Sequence, residues 1–315
     1  MKILITGGLG YLGGRLAKYL VNNTSHTVRI GTRKNITGVE WLSQVEVVNT
    51  LWSSNIELEK ICCDEDLVIH ASGMNAVDCS KDPSLALKVN GDATARLLKS
   101  SIKQGVKRII YISTAHVYDS PLAGKVTEQS STKNLHPYAT SHKAGENHVR
   151  LAHSKGEIEG IVVRLSNSFG PPSSLNANCW HLATNDFCKQ GIESKNIIVK
   201  TSEIETRDFI SITNVCRAIE HLIKLPLNRL SDGLFNIGGE WSPTILEIAN
   251  ILSKRIYLLT DKKINIKSQK LEQNSKLLAL DFDIKKIKLT GFELVNDRNN
   301  EFDDLIRFCH KNFGV

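Results

Sequence analysis

Residues 2–15, Lys-Ile-Leu-Ile-Thr-Gly-Gly-Leu-Gly-Tyr-Leu-Gly-Gly-Arg, set a short apolar strand directly against a glycine turn and the start of a helix. Gly7, Gly10 and Gly13 fall in the spacing G-x-x-G-x-x-G. Such a turn lets backbone amides approach a pyrophosphate, and the helix N-terminus behind it adds a partial positive charge. Glycine-rich turns also occur for purely geometric reasons. Here the strand before and the helix after supply the context that dinucleotide binding requires.

Outward from that turn, apolar and β-branched runs of strand length recur at residues 3–6, 27–32, 45–48, 67–71, 108–113 and 160–165. Helix-period stretches such as 12–21 and 84–104 lie between them. Continuously apolar strands separated by helices predict a parallel sheet buried on both faces. Crossovers between parallel strands are right-handed, so the expected class is α/β, a Rossmann-type doubly wound parallel sheet with its ligand at the carboxyl ends of the strands. After Asn167 the texture changes. A Gly170-Pro171-Pro172 loop leads to a helical stretch at 183–190, and a strand-like piece at 234–237 ends in Gly238-Gly239. The expected organisation is a dinucleotide-binding domain from 1–166 and 207–240, with a smaller C-terminal substrate lobe from 167–206 and 241–315.

The 315 residues are 41% hydrophobic and 23% charged, a soluble globular composition. No apolar run approaches the roughly 20 residues that span a bilayer. The opening apolar stretch, residues 3–5, runs straight into glycines, so neither a membrane contact nor a secretory leader is expected. Seven cysteines, an odd number without C-x-x-C spacing, predict reduced thiols in a cytoplasm and no metal centre. The adjacent Cys62 and Cys63 read as helix-end residues. The net charge of +7 raises nucleic acid as a partner. The lysines are scattered, however, enriched only over 262–288 and without interleaved aromatics, which predicts a solvated basic face and no nucleic acid.

The second strand ends Arg29-Ile30-Gly31-Thr32-Arg33-Lys34. A carboxylate about 20 residues past the glycine turn would bind the adenosine ribose 2′-hydroxyl and repel a 2′-phosphate. Thr32 stands there instead, with two cations after it. A hydroxyl beside an arginine fork suits a 2′-phosphate, so NADP is expected in preference to NAD. The other reading makes Arg33 and Lys34 plain exposed loop residues.

Strand five ends Tyr111-Ile112-Ser113-Thr114-Ala115-His116-Val117-Tyr118, and Pro137-Tyr138-Ala139-Thr140-Ser141-His142-Lys143 follows. Together with the glycine turn these resemble the extended short-chain dehydrogenase/reductase superfamily, in its branch of nucleotide-sugar epimerases, dehydratases and reductases. The likeness covers most of the chain. It runs through Asp66-Leu67-Val68-Ile69-His70-Ala71, Val89-Asn90-Gly91-Asp92-Ala93-Thr94 and Arg164-Leu165-Ser166-Asn167-Ser168-Phe169-Gly170-Pro171. Arg207-Asp208-Phe209-Ile210 and Asn236-Ile237-Gly238-Gly239 continue it. The resemblance implies hydride exchange between C4 of a nicotinamide and a sugar carbon. A tyrosine phenol moves the hydroxyl proton, and a Ser/Thr hydroxyl holds the same oxygen. By position Tyr138 is the acid/base and Thr114 its partner. The resemblance adds Tyr11, Leu12, Ala71, Ser72, Asn90, Ser113, Tyr138 and His142 to the glycines and Thr32, Arg33 and Lys34 as cofactor contacts. It sets Thr114, His116, Asn167, Trp180 and Arg207 against a nucleotide-diphosphate sugar. It also implies a homodimer, paired through helices at 84–104 and 138–153.

Departures from the family bear on the chemistry. A lysine usually follows the tyrosine by four residues on the same helix face, where it holds the nicotinamide ribose and lowers the phenol pKa from about 10. His142 takes that place, and Lys143 lies one residue on, roughly 100° around the helix. Histidine still hydrogen-bonds a ribose but is largely neutral near pH 7 and activates a phenol less. The family's dehydratases carry Asp-Glu directly after the Ser/Thr, whereas this chain has Ala115-His116. His116 is then either a structural histidine or a residue facing the sugar. Arg207, with Asn167, binds a diphosphate or forms an ion pair with Asp208. Trp180 stacks on a base or sugar or fills the core of the lobe. Residues 280–286 resemble the family's late helix. Three activities remain: an NAD(P)-dependent nucleotide-sugar epimerase, an NADPH-dependent reductase of a 4-keto nucleotide sugar, and a catalytically weak dinucleotide-binding sensor.

Overall fold

The computed structural model describes residues 1–200, 205–268 and 279–314; part of the lysine-rich stretch, 269–278, lies outside the described residues. The chain opens with β1 (Lys2–Thr6), α1 (Tyr11–Asn23), β2 (Thr27–Thr32), β3 (Glu46–Asn49), α2 (Asn55–Cys62) and β4 (Leu67–His70). Next come α3 (Ala76–Lys81), α4 (Pro83–Ala86), α5 (Ala93–Lys103), β5 (Arg108–Thr114), β6 (Gly124–Val126), α6 (Pro137–Ser154) and β7 (Glu159–Leu165). Then follow β8 (Asn167–Phe169), α7 (Ala183–Ser194), β9 (Asn196–Val199), β10 (Phe209–Ser211), α8 (Ile212–Lys224) and β11 (Leu234–Ile237). The last elements are α9 (Ile245–Thr260), β12 (Asn265–Ser268), β13 (Leu280–Phe282), α10 (Lys285–Lys288) and α11 (Arg298–Phe313).

A seven-stranded sheet in the order β3-β2-β1-β4-β5-β7-β11 forms the centre, and every pairing in it is parallel. Ile3 and Ile5 of β1 pack into one apolar cluster and Leu4 into another, so both faces of the strand are covered. That explains the unbroken apolar runs: a strand with helices on both sides has no solvent face to alternate with. The strand order reverses between β1 and β4, which opens a crevice above their carboxyl ends. A second apolar core, with Phe169, Phe187, Phe209, Leu252, Phe302 and Leu305, ties α7, α9 and α11 together beside the sheet. Among the described residues no helix is long and apolar enough to cross a membrane.

Two elements differ from the sequence expectation. The stretch 84–104 is not one α-helix: α4 and α5 flank a π-helical segment, Leu87–Asp92. The carbonyl of Asn90 there accepts the Thr94 hydroxyl at 2.7 Å, so side-chain bonding competes with the regular backbone ladder and the turn widens. The expected late helix at 280–286 begins instead as β13, which pairs parallel with β6. Leu280 and Phe282 point inward around an exposed Asp281, the period of a strand, and only Lys285–Lys288 is helical.

Candidate active site

β1 ends at Thr6, and the chain turns through Gly7 at a φ of +73°, where an added Cβ would lie 2.7 Å from the Ala71 carbonyl oxygen. On Gly13 it would meet Gly7 O at 2.3 Å, so turn and helix pack too closely for any side chain. α1 carries no acidic residue in its first turn, which leaves its positive end for an anion. Before this turn lies a cleft of about 880 Å³, with Gly7, Gly10, Thr32, Ala71, Ser72 and Gly73 in its walls. This glycine cradle and its helix end fit the pyrophosphate of a dinucleotide. At one end the cleft is lined by Arg33, Lys34 and Lys88, none of them in an ion pair among the described residues, and by Asp92. Trp52 closes that end, its carbonyl held by Arg96.

Other expected cofactor contacts turn elsewhere. The Tyr11 hydroxyl donates to Gly170 O at 3.0 Å, and Leu12 packs on the core. These residues anchor α1 to the loop after β8. Buried Asn90 accepts from the Met74 amide (2.8 Å) and donates to Ser141 Oγ (3.0 Å), which ties the loop after β4 to α6. Ser113 donates to Glu146 at 2.7 Å.

Thr114 is the last residue of β5, and Tyr138 lies in the first turn of α6, where Pro137 and the His136 cap start the helix. Burial raises the Tyr138 phenol pKa, and the neighbouring Thr114 hydroxyl partly offsets it. Two histidines flank the phenol ring edge-on: His142 at 4.6 Å and His116 at 6.3 Å between centroids. Burial lowers both imidazoles to about 4, so both are neutral at physiological pH. His116 therefore faces the Tyr138 phenol ring. Lys143 does not reach around: its Nζ sits 3.2 Å from Glu146 Oε2.

Glu146 lies one turn beyond His142, fully buried. Arg164 of β7 grips it with two bonds of 2.9 and 2.7 Å and also stacks on the Tyr118 ring. Burial alone would raise the Glu146 pKa, but its bonds to Arg164 and Ser113 hold it below the ordinary range. His142 belongs to a different group. Its Nδ1 is 2.9 Å from the Tyr111 hydroxyl, and His70, Thr94 and Thr6 continue the contacts under the cleft. The sequence reading did not single out Tyr111, Glu146 or Lys88. A legible signal existed for Glu146: it stands four residues after His142, while Arg164 interrupts an otherwise apolar strand.

Among the expected substrate contacts, Arg207 pairs with Glu205 at 2.8 Å and not with Asp208. Asp208 is buried and accepts from the amides of Gly239 (2.8 Å) and Trp241 (3.1 Å); burial pushes its pKa up to about 6. The Asn167 amide donates to the Asp208 carbonyl at 3.0 Å. Trp180 packs between Phe308 and Phe313 and donates its indole N–H to Leu175 O at 3.3 Å. It fills the lobe core.

Fold and cleft define a Rossmann-type dinucleotide-binding protein. The chain belongs to the NAD dependent epimerase/dehydratase family, which matches residues 3–238. It is 27% identical over 292 residues to a dTDP-glucose 4,6-dehydratase from Actinoplanes sp., covering 84% of this chain and 86% of that protein. It is 24% identical over 322 residues to a UDP-N-acetyl-alpha-D-glucosaminuronate decarboxylase from Bacillus cytotoxicus, covering 98% and 91%. Its fold matches UDP-glucuronic acid 4-epimerase from Bacillus cereus, solved in complex with NAD, with a TM-score of 0.82 at 21% identity over 100% of both chains. Relatives thus include nucleotide-sugar dehydratases, decarboxylases and epimerases, and NAD is the cofactor that the family's description names.

Proposed function

We propose that the chain is an NAD(P)-dependent nucleotide-sugar epimerase acting by hydride transfer at a sugar carbon. The observation that supports it most is the buried Tyr138 phenol in the first turn of α6, with Thr114 of the β5 carboxyl end acting on it and the His142 ring 4.6 Å away one turn along the helix. A nicotinamide bound along the glycine turn supplies the hydride acceptor and donor. Tyr138 Oη takes and returns the hydroxyl proton, Thr114 Oγ1 orients the same oxygen, and His142 hydrogen-bonds in the place of the family's lysine. Arg207, held by Glu205, is offered to the substrate diphosphate. Ala115 and His116 supply no acid next to Thr114, which favours epimerisation over loss of water.

The cations Arg33, Lys34 and Lys88 around Thr32 favour NADP over NAD, and for the same reason favour, as a second reading, an NADPH-consuming reductase of a 4-keto nucleotide sugar. The deciding experiment incubates the purified protein with a panel of UDP- and dTDP-sugars and each cofactor. An epimeric product without net change in the reduced-nicotinamide absorbance supports the epimerase. Loss of NADPH only with keto-sugars replaces it by the reductase. Cofactor binding without turnover across the panel leaves the sensor. Tyr138→Phe lowers turnover by about 10²–10⁴-fold. Pairing of two copies through α5 and α6 is part of the proposal, and light scattering that shows a monomer at micromolar concentration removes it.

A further inference from the structure

We infer that Tyr111 is a positioning residue that fixes the tautomer and ring orientation of His142, so that an uncharged imidazole presents an N–H toward the cofactor cleft. This rests on the reading above that His142 occupies the lysine's place.

The proton positions follow from the hydrogen bonds. Thr94 Oγ1 has one proton and donates it to Asn90 O at 2.7 Å. At its 3.0 Å contact with His70 Nε2 it therefore accepts. His70 then carries its proton on Nε2, and its Nδ1 accepts from Thr6 Oγ1 at 2.7 Å. The Tyr111 ring lies between the two imidazoles, 5.5 Å from His70 and 5.9 Å from His142. Its hydroxyl has His142 Nδ1 at 2.9 Å and Asn90 O at 3.4 Å in reach as acceptors, with the Thr94 hydroxyl also beside it. The Asn90 carbonyl already holds the shorter bond from Thr94, so the Tyr111 proton goes to His142 Nδ1.

A neutral imidazole that accepts at Nδ1 carries its proton on Nε2. Burial keeps His142 neutral. Its Cε1, the atom between the two nitrogens, faces Gly73, 3.7 Å from where a Cβ would stand, and Gly73 lines the cleft. With Nδ1 pinned inward, the N–H edge is the one left for the cleft. The donor that a lysine offers through charge is here offered through tautomer selection. An unpinned ring would present a lone pair as readily as a proton, and its Nδ1 would be buried without a partner.

A double-mutant cycle tests this on the full-length protein, with NAD(P)H affinity by fluorescence titration and kcat/KM as readouts. In the parent, Tyr111→Phe weakens cofactor binding and turnover by about 10-fold, the scale of one lost hydrogen bond. In a His142→Lys background the same change costs less than about twofold, because an ammonium donates whatever Tyr111 does. Equal losses in both backgrounds mean that Tyr111 only supports the fold, and overturn the inference. Nitrogen-15 spectra of the unsubstituted protein give a check that needs no variant: His142 shows an unprotonated Nδ1 and a protonated Nε2, and the reverse pattern overturns the inference. A protein that binds no cofactor fails the proposed function, while the spectra still decide the tautomer.

Discussion

His142 and Glu146 sit one turn apart on α6, both buried, and the protein handles them in opposite ways. Around Glu146 the charge is kept: Arg164 answers it bidentately, Ser113 donates to it, and Lys143 adds a second cation. Around His142 charge is removed: burial holds the ring neutral, and Tyr111, Thr94, His70 and Thr6 link it by neutral hydrogen bonds. A buried ionisable group is tolerable either as a paired ion or as a hydrogen-bonded neutral. The difference explains the displaced lysine. Lys143 is drawn to the charged side by Glu146, which leaves Tyr138 between neutral imidazoles rather than beside a cation. The proposed catalytic pair thus works in a less polarising environment than the family pattern supplies.

The largest effect comes from breaking the charged side. Arg164→Met leaves Glu146 with only the Ser113 hydroxyl and the half-buried Lys143, and urea unfolding should show a loss of about 3–5 kcal/mol, since one partner of a buried pair is stranded. An unchanged midpoint would mean that Ser113 and Lys143 suffice.

The two networks should also fail at different acidities. His70 and His142 are lowered, by burial first, from 6.5 to about 3 and about 4. The unfolded chain binds their protons first, so their contribution is present above pH 6.5 and is lost as pH falls from there toward the folded values. Glu146 is lowered below its ordinary 4.5, so its contribution persists to that pH and is lost only beneath it. Asp208, raised to about 6, acts in the opposite sense, and His116 in the same sense as His142. The readout is therefore the difference between parent and His142→Gln in stability against pH. The stability of the parent relative to His142→Gln should fall as pH drops from 6.5 to 4 and stay flat below it.

Activity separates the neutral side further. His142→Ala should slow turnover and weaken cofactor binding by about 10- to 100-fold, the scale of one or two lost hydrogen bonds. His142→Lys should keep or raise turnover near neutrality and move the pH–rate profile to lower pH, because a permanent cation stabilises the Tyr138 phenolate. A slower His142→Lys enzyme with an unshifted profile would show that the neutral donor is preferred. At the other end of the cleft, Arg33→Ala should weaken NADP binding by about 10-fold while sparing NAD, as a lost charge-assisted bond to a 2′-phosphate requires. Equal losses for both cofactors would remove the NADP preference. The smallest effect belongs to Lys143→Ala, about 0–1 kcal/mol in stability with turnover unchanged, because its side chain is partly solvated.

The glycine turn and the parallel sheet were legible in sequence because each depends on local pattern, close backbone approach and unbroken apolar runs; the pairing of Tyr138 with Thr114, on different elements, came from the family resemblance. The expectations that failed were long-range. Residues 280–282 form a strand because β6, far away in sequence, is there to pair with. Arg207 turns to Glu205 because Asp208 is already occupied by two amides across the loop. Of the two readings left open for Trp180, packing in the lobe is the one found, against Phe308 and Phe313 more than a hundred residues on.

By itself the sequence determined that a dinucleotide-sized cradle exists, that a tyrosine and a threonine meet above the sheet, and that a histidine stands where a lysine is expected. Only the tertiary structure decided what that histidine is. Whether an imidazole is charged, and which nitrogen holds its proton, depends on burial and on partners from β1, β4, β5 and the π-helical segment before α5. Those residues are scattered from Thr6 to His142, and no spacing rule along the chain brings them together; the sheet does.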